Sequence, residues 1–222
     1  MSFIKLNQVA KFYDKRGQNP VFSEVDLEIA TGEFVMLKGV SGAGKSTLLN
    51  IIGGIEPATR GSIVIDGTDI GTLRGKRRAE FYRHEVGFIF QGFYLQPQLT
   101  VQENITLAGT FAKLPRNERR ARAEELAKKL GIEQVLNLKP AEISGGQAER
   151  TAVARAMFMR PKIILADEPT NNLDPENARG VIDLLKLAQK ELKATVIVAS
   201  HDAVVEQYAT RIVEIKGGKV LA

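Results

Sequence analysis

The chain contains no cysteine among its 222 residues. Disulfide bonds and thiolate-ligated metal sites are therefore excluded, which suits a reducing compartment. Long apolar runs are also missing, since a run such as residues 163–166 is far shorter than the roughly 20 residues that cross a bilayer. Residues 1–18 alternate apolar and charged side chains and lack the apolar centre of a secretory signal. We expect neither a membrane span nor a secretory signal in this chain.

The charge balance is basic, with a formal net charge of +5. Such a chain can bind nucleic acid or an anionic membrane surface. The densest basic cluster consists of Arg74, Lys76, Arg77, Arg78 and Arg83, interleaved with Phe81 and Tyr82. No recognised nucleic-acid-binding motif accompanies this cluster, so we interpret it as a solvated basic face.

Strand-like and helix-like segments alternate along most of the chain. Strand character occurs at residues 3–9, 21–29, 33–38, 62–65, 86–90, 163–166, 195–199 and 211–215. Continuous apolar strands between helices indicate a buried parallel sheet, and alternation in the N-terminal strands indicates an antiparallel part. Consecutive helical patterns fill the middle of the chain. We therefore predict an α/β core from residues 1–91 and 160–222, with an inserted helical subdomain at residues 92–159.

A glycine-rich segment joins the predicted strand at residues 33–38 to a predicted helix. It matches the P-loop pattern in full and consists of Gly39, Val40, Ser41, Gly42, Ala43, Gly44, Lys45 and Ser46, followed by Thr47. Glycines let backbone amides wrap around phosphates, and the helix adds the positive end of its dipole. Lys45 would contact the β- and γ-phosphates, and Ser46 would ligate Mg²⁺. These residues predict an ATP site in a P-loop NTPase with a RecA-like parallel sheet.

Two adjacent carboxylates, Asp167 and Glu168, end the apolar strand at residues 163–166. Adjacent acids at the end of a buried strand are unfavourable unless a cation accompanies them. The ligand crevice of an open α/β sheet lies at this carboxyl end. We expect Asp167 to hold Mg²⁺ and Glu168 to polarise the water that attacks the γ-phosphate.

A second motif, the signature segment of Ser144, Gly145, Gly146 and Gln147, precedes Arg150. Here the sequence resembles the ATP-binding-cassette (ABC) transporter ATPases, and the resemblance covers the whole chain. Ser144 and its glycines open a predicted helix and can bind an anion. The chain thus has two phosphate-type sites but one lysine and one acidic pair, a mismatch that a two-fold dimer resolves. The resemblance implies a homodimer in which each P-loop and its ATP are closed by the other subunit's signature segment.

The resemblance also assigns roles to residues near the nucleotide. Tyr13 resembles the aromatic residue that stacks on adenine, with Phe12 as the alternative. Gln91 resembles the glutamine that reaches Mg²⁺ and the attacking water, and His201 the histidine that contacts the γ-phosphate. The implied catalytic set is Glu168, His201, Gln91 and Lys45, and the implied Mg²⁺ ligands are Ser46, Gln91 and Asp167.

The loop of Asn172, Leu173 and Asp174 resembles the one that crosses the dimer interface in this family. The sequence departs from the family pattern at a few positions. Ile143 stands where leucine is usual, Ala148 and Glu149 replace the commoner pair of glutamines, Asn171 replaces a glycine, and Gly92 replaces a polar residue. None of these changes removes a phosphate, metal or water ligand.

Within the family, residues 39–50, 52–56 and 166–170 look most like the branch of lipoprotein-release, macrolide-export and cell-division ATPases. This likeness implies an integral membrane permease subunit with a large extracytoplasmic domain, and a chain bound peripherally at the cytoplasmic face of the plasma or inner membrane. Two alternatives remain: a soluble cassette protein acting on nucleic acid or the ribosome, and a nucleotide-gated module with negligible turnover. A single cassette without sustained heptads disfavours the first, and Glu168 disfavours the second.

Overall fold

The computed structural model describes residues 2–14, 19–171 and 173–221. The strands in these ranges are β1 (Ser2–Phe12), β2 (Pro20–Ala30), β3 (Phe34–Lys38), β4 (Arg60–Ile65), β5 (Thr68–Asp69), β6 (Val86–Ile89), β7 (Ile163–Asp167), β8 (Thr195–Ser200), β9 (Arg211–Lys216) and β10 (Lys219–Leu221). The helices are α1 (Lys45–Ile52), α2 (Gly75–Glu85), α3 (Val101–Phe111), α4 (Arg116–Leu130), α5 (Gly145–Met157), α6 (Pro175–Leu192) and α7 (Ala203–Tyr208). The predicted α/β class is confirmed.

The larger sheet has six strands in the order β10-β9-β3-β8-β7-β6. All neighbours are parallel except β9 and β10, which form an antiparallel hairpin. In register, Lys38 pairs with Ser200, and Asp167 pairs with Ala199. The carboxyl ends of β3, β8 and β7 therefore meet at one edge of the sheet, where an α/β fold binds its ligands.

The smaller sheet is antiparallel in the order β2-β1-β4-β5, as predicted for the N-terminal part of the chain. It packs with α1 on one face of the parallel sheet, which presents Val35 and Leu37 there. The opposite face presents Phe34 and Met36 to α3, α4, α5 and α6. The period-two alternation of strand side chains thus divides the core into two apolar layers.

The capping residues begin and end the helices of the middle region. Thr100 and Glu103 form a reciprocal capping box at the start of α3. Gly131 ends α4 with a φ of 66°, a conformation that glycine adopts without strain. One apolar cluster joins α3, α4 and α5 to the parallel sheet, so the division of the chain at residues 92–159 remains a prediction.

Helix α2 and strand β10 were not predicted from the sequence. None of the residues of α2 is buried, so the helix has no apolar periodicity by which to recognise it.

Two arginines of the basic cluster hold the surrounding backbone. Arg74 donates to the carbonyls of Gly71 and Leu73, and Arg78 donates to that of Gly54. These guanidinium groups therefore have a structural use.

Replacing Gly87 tests how closely α5 packs against β6. A Cβ at position 87 would lie 2.4 Å from the carbonyl oxygen of Ala156. We expect Gly87→Ala to lower the free energy of unfolding by about 1–3 kcal/mol, measured by urea denaturation. Gly180→Ala is the control, because a Cβ there would meet no described atom within 4 Å apart from its chain neighbours and the backbone of its own helix. It should leave stability unchanged or raise it by up to about 1 kcal/mol. Equal effects of the two changes would contradict the close packing.

Candidate nucleotide site

The loop between β3 and α1 has the conformation of a phosphate cradle. Gly44 lies at the N-cap of α1 with a φ of 99°. A Cβ at this position would also come within 2.8 Å of Val21 Cγ1, so only glycine fits. The loop therefore leads directly into the N-terminus of α1, whose first turn has free amide groups and a partial positive charge.

Lys45 is buried at the start of α1, with 5% of its surface exposed. Its Nζ lies 2.8 Å from the carbonyl oxygen of Gly39 and 3.0 Å from Oε1 of Glu168. The carbonyl oxygen of Val40 is a third acceptor at 3.3 Å. A buried ammonium group needs such partners, and the site supplies them from two chain segments.

Ser46 and Asp167 meet across the site although 121 positions separate them in the chain. Ser46 Oγ donates to Asp167 Oδ1 at 2.8 Å. Burial raises the pKa of Asp167, and the nearby charge of Glu168 adds to that rise, whereas the Ser46 bond and the Lys45 charge oppose it. A cation beside Asp167 would counteract the effect of burial by favouring the charged form of the carboxylate.

The oxygen ligands at this point suit a magnesium ion bound to a nucleotide. Mg²⁺ prefers hard oxygen ligands and usually takes one or two protein groups together with phosphates and water. The hydroxyl of Ser46 and the carboxylate of Asp167 are both hard oxygen ligands. Among the described residues no group of three or more metal-binding side chains is found, so an all-protein metal cage is not formed there.

Glu168 and His201 lie side by side after the ends of the neighbouring strands β7 and β8. Nδ1 of His201 lies 3.1 Å from Oε2 of Glu168. Glu168 has a φ of 44°, and its amide donates to the carbonyl of Ala199 at 2.8 Å. The carboxylate thus lies between Lys45 and His201. The strained backbone of Glu168 is typical of functional positions.

These residues surround one cleft with a volume of about 400 Å³. Its lining consists of Tyr13, Val21, Ser41, Gly42, Gly44, Lys45, Ser46, Thr47, Gln91, Glu168, Asn171 and His201. Gly39, Val40, Ala43 and Asp167 do not line it. The first three belong to the adjoining P-loop, and Asp167 is hydrogen-bonded to Ser46. The cleft therefore brings together most of the residues that the sequence predicts to bind or hydrolyse ATP.

Tyr13, rather than Phe12, is the aromatic residue that faces the cleft. This residue is 63% exposed, and its hydroxyl donates to Glu56 Oε2 at 3.0 Å. Lys11 lies 5.0 Å from the ring centroid and forms an ion pair with Glu56 at 2.8 Å. Phe12 instead lies beneath the guanidinium of Arg60. These contacts support Tyr13 as the platform for a nucleotide base.

The signature segment lies outside this cleft, at the N-terminus of α5. Ser144 is the N-cap, and its hydroxyl accepts from the Gln147 amide at 3.3 Å while Gln147 Oε1 accepts from the Ser144 amide at 2.9 Å. Ser144, Gly145 and Gly146 are exposed. An exposed helix N-terminus with two glycines can accept an anion from outside the chain.

The predicted interface loop is described only in part. Asn172 lies outside the described residues, so its prediction rests on sequence alone. Leu173 is half-buried, and Asp174 caps α6 by accepting hydrogen bonds from the amides of Glu176 and Asn177. Asp174 therefore has a local structural role that does not depend on a partner.

Two residues of α5 were not given a role by the sequence analysis. Arg155 donates to the main-chain carbonyls of Phe93 and Tyr94, just after Gln91. Glu149 is 8% exposed, and its Oε1 has no hydrogen-bond partner among the described residues. The sequence did mark Glu149, because position 149 departs from the family's glutamine. It did not mark Arg155, because contacts to main-chain atoms leave no pattern in the sequence.

A sequence profile of the family described as ABC transporter matches residues 22–171 of the chain. The chain belongs to this family. It is 38% identical to the bacitracin export ATP-binding protein BceA of Halalkalibacterium halodurans, over 99% of this chain and 87% of that protein. It is 40% identical to the macrolide export ATP-binding/permease protein MacB of Mannheimia succiniciproducens, over 100% of this chain but only 34% of that protein.

Solved structures agree with this assignment. The dimeric structure of the ABC transporter cassette MJ0796 superposes with a TM-score of 0.87 and 40% identity, over 99% of this chain and 97% of that one. A post-hydrolysis dimer of MJ0796 bound to ADP and phosphate superposes with a TM-score of 0.86. The ABC ATPase fold and enzyme class of this chain are thereby established. Within the described ranges, no helix has the length and apolar character that a membrane span requires.

Glu149 predicts a dependence of stability on pH. Burial raises the pKa of Glu149 to about 7, and the Arg150 charge opposes this rise. The folded state therefore binds more protons than the unfolded state between about pH 4.5 and pH 7, and stability falls as the pH rises through this window. Glu149→Gln should remove this fall and raise the free energy of unfolding above pH 7 by up to about 3 kcal/mol.

Urea denaturation of both proteins between pH 4.5 and pH 8.5 measures this effect. The control is Glu214→Gln, at an exposed position of β9, which should leave the pH profile of the wild type unchanged. A Glu149→Gln profile that runs parallel to that of the wild type would show that position 149 does not titrate in this window.

Proposed function

We propose that this chain is the ATP-binding and ATP-hydrolysing subunit of an ABC transporter, that it encloses two ATP molecules as a homodimer, and that it drives an integral membrane permease subunit. One observation carries the proposal: Lys45, Glu168 and His201 line the cleft, while the exposed signature segment lies elsewhere. A complete site therefore needs a signature segment from a second copy.

ATP binding begins with the exchange of partners at Lys45. Glu168 forms an ion pair with this lysine, and two P-loop carbonyls accept hydrogen bonds from it. A triphosphate in the cradle offers it a stronger anion, together with the amides and dipole of α1. Glu168 is then free to accept a hydrogen bond from water. Mg²⁺ held by Ser46 and Asp167, with Gln91 nearby, would neutralise charge on the phosphate oxygens.

Hydrolysis follows from the position of Glu168 between Lys45 and His201. Its carboxylate can orient and polarise a water molecule for in-line attack on the γ-phosphate. His201 holds the carboxylate through Nδ1, and its exposed ring can reach toward the phosphate. Lys45 and the N-terminus of α1 stabilise the charge that develops in the transition state.

Exposed groups around the cleft favour closure by a second copy. The Val40 side chain is 75% exposed in the middle of the P-loop, which is unfavourable for an apolar group in water. The exposed serine and glycines of the signature segment form the complementary anion site. In a two-fold dimer each surface occurs twice, so two equivalent sites would form.

The names of related proteins suggest the membrane partner. BceA is named an export ATP-binding protein, and MacB joins ATP-binding and permease functions in a chain of which this protein covers 34%. We infer that an integral membrane permease subunit with a large extracytoplasmic domain is the partner of this chain. The chain would then act at the cytoplasmic face of the membrane.

Replacing the proposed water-polarising carboxylate tests the hydrolytic role. Glu168→Gln keeps the shape of the side chain but removes its charge, so ATP turnover should fall by at least about 100-fold. ATP should still bind and hold the dimer closed, as measured by light scattering coupled to size-exclusion chromatography. The control Glu214→Gln should hydrolyse ATP at the wild-type rate. Retained turnover in Glu168→Gln would refute this assignment.

Mixing two inactive variants tests whether the signature segment acts across the dimer. Lys45→Ala disables the cradle of its own chain, and Ser144→Arg blocks the signature segment. In a mixed dimer, one site combines both defects and the other combines the two intact halves. A 1:1 mixture should therefore recover measurable turnover, at most about a quarter of the wild-type rate, since half of the dimers each hold one intact site. A mixture as inactive as its components would contradict a shared site.

A further inference from the structure

The loop after Gln91 has a strained backbone. Gly92, Phe93 and Tyr94 have φ values of 80°, 62° and 41° in succession. Positive φ is unfavourable for aromatic residues, so contacts elsewhere must hold them in this conformation. Two tight turns form the loop, because the Phe93 amide donates to Phe90 O at 3.0 Å and the Tyr94 amide to Gly92 O at 2.7 Å.

Arg155 supplies contacts that hold this loop. Its Nη2 donates to the carbonyl oxygen of Phe93 at 2.6 Å, and its Nη1 donates to that of Tyr94 at 2.8 Å. The planar guanidinium group presents two donors side by side, and both bonds are strengthened by its charge. The two strained aromatic residues are therefore tied by one side chain to α5.

Helix α5 carries the signature segment at one end and Arg155 near the other. The 10 positions from Gly145 to Arg155 span roughly 15 Å of continuous helix. The same end of α5 packs tightly on β6, where a Cβ at Gly87 would lie 2.4 Å from Ala156 O. Thus α5 contacts the strand that precedes Gln91 and, through Arg155, the loop that follows it.

We propose that Arg155 is a positioning residue that couples the signature segment to Gln91 of the same chain. The proposal rests on the proposed function, in which Ser144 contacts the nucleotide held by the other subunit. When α5 moves toward that nucleotide, the carbonyls held by Arg155 move with it, and Gln91 is repositioned in its own cleft. Each site thereby responds to nucleotide in the other site.

Steady-state ATP hydrolysis by Arg155→Lys and Arg155→Ala tests this coupling. Lysine keeps the charge but cannot hold two carbonyls in a fork. Both variants should lower kcat on the order of tenfold and bring the Hill coefficient for ATP toward 1. Equilibrium binding of a fluorescent ATP analogue should stay at the wild-type affinity, because Arg155 does not line the cleft. Thermal unfolding followed by circular dichroism checks that the variants are folded.

Arg122→Lys is the matched control. Arg122 lies on α4, and its Nη2 donates at 3.3 Å to the carbonyl of Met157, at the end of the same helix α5. It makes an arginine-to-carbonyl bond of the same kind without touching the loop after Gln91. Its kcat and Hill coefficient should match the wild type. If Arg122→Lys reproduced the Arg155→Lys phenotype, general loosening of α5 would explain both and the coupling proposal would fail.

A double-mutant cycle with Gln91→Ala tests whether Arg155 acts through Gln91. In that case the double variant with Gln91→Ala and Arg155→Ala should hydrolyse ATP no more slowly than the single variant Gln91→Ala. Losses that multiply would overturn the proposal.

Two single variants separate this proposal from the proposed function. If Gln91→Ala and Ser144→Ala both kept wild-type turnover, the proposed site itself would be wrong. If those two variants lost turnover while folded Arg155→Lys and Arg155→Ala kept the wild-type kcat and Hill coefficient, only the coupling would be refuted.

Discussion

The neutralisation of Lys45 organises the centre of this protein. A lysine ammonium that is almost fully buried requires acceptors that cannot move away easily, and here they come from the P-loop and from the end of β7. The order and register of β3, β8 and β7 place these groups at one edge of the sheet. The helix dipole of α1 adds positive potential at the same point, so the cleft favours a polyanion.

The same arrangement underlies the proposal that two copies share each site. Glu168 contacts both Lys45 and His201 in the cleft, whereas the exposed signature segment does not line that cleft. In the proposed dimer, the signature segment of one copy completes the cleft of the other. Binding of nucleotide and association of two copies therefore complement each other. Because α5 is a continuous helix tied to the loop after Gln91, the shared site and the individual sites are mechanically connected.

Local signals in the sequence predicted those features that depend on neighbouring residues. The cap at Ser144 occurs where the sequence places it, since capping is a short-range interaction. Helix α2 was missed, because periodicity detects a helix only when one face is buried and no residue of α2 is buried. The role of Arg155 was also hidden, since its acceptors are carbonyls that any residue type would present.

The sequence alone determined the fold class, the phosphate cradle and the identity of the acidic pair. These follow from glycine geometry, from the charge of Lys45 and from the placement of carboxylates at the end of an apolar strand. Only the tertiary structure decided that Tyr13 rather than Phe12 faces the cleft and that Arg155 holds the loop after Gln91. It also decided that Glu149 is buried, with no hydrogen-bond partner for its Oε1 among the described residues. The reason is physical: burial, strand order and contacts to main-chain atoms depend on residues far apart in the chain.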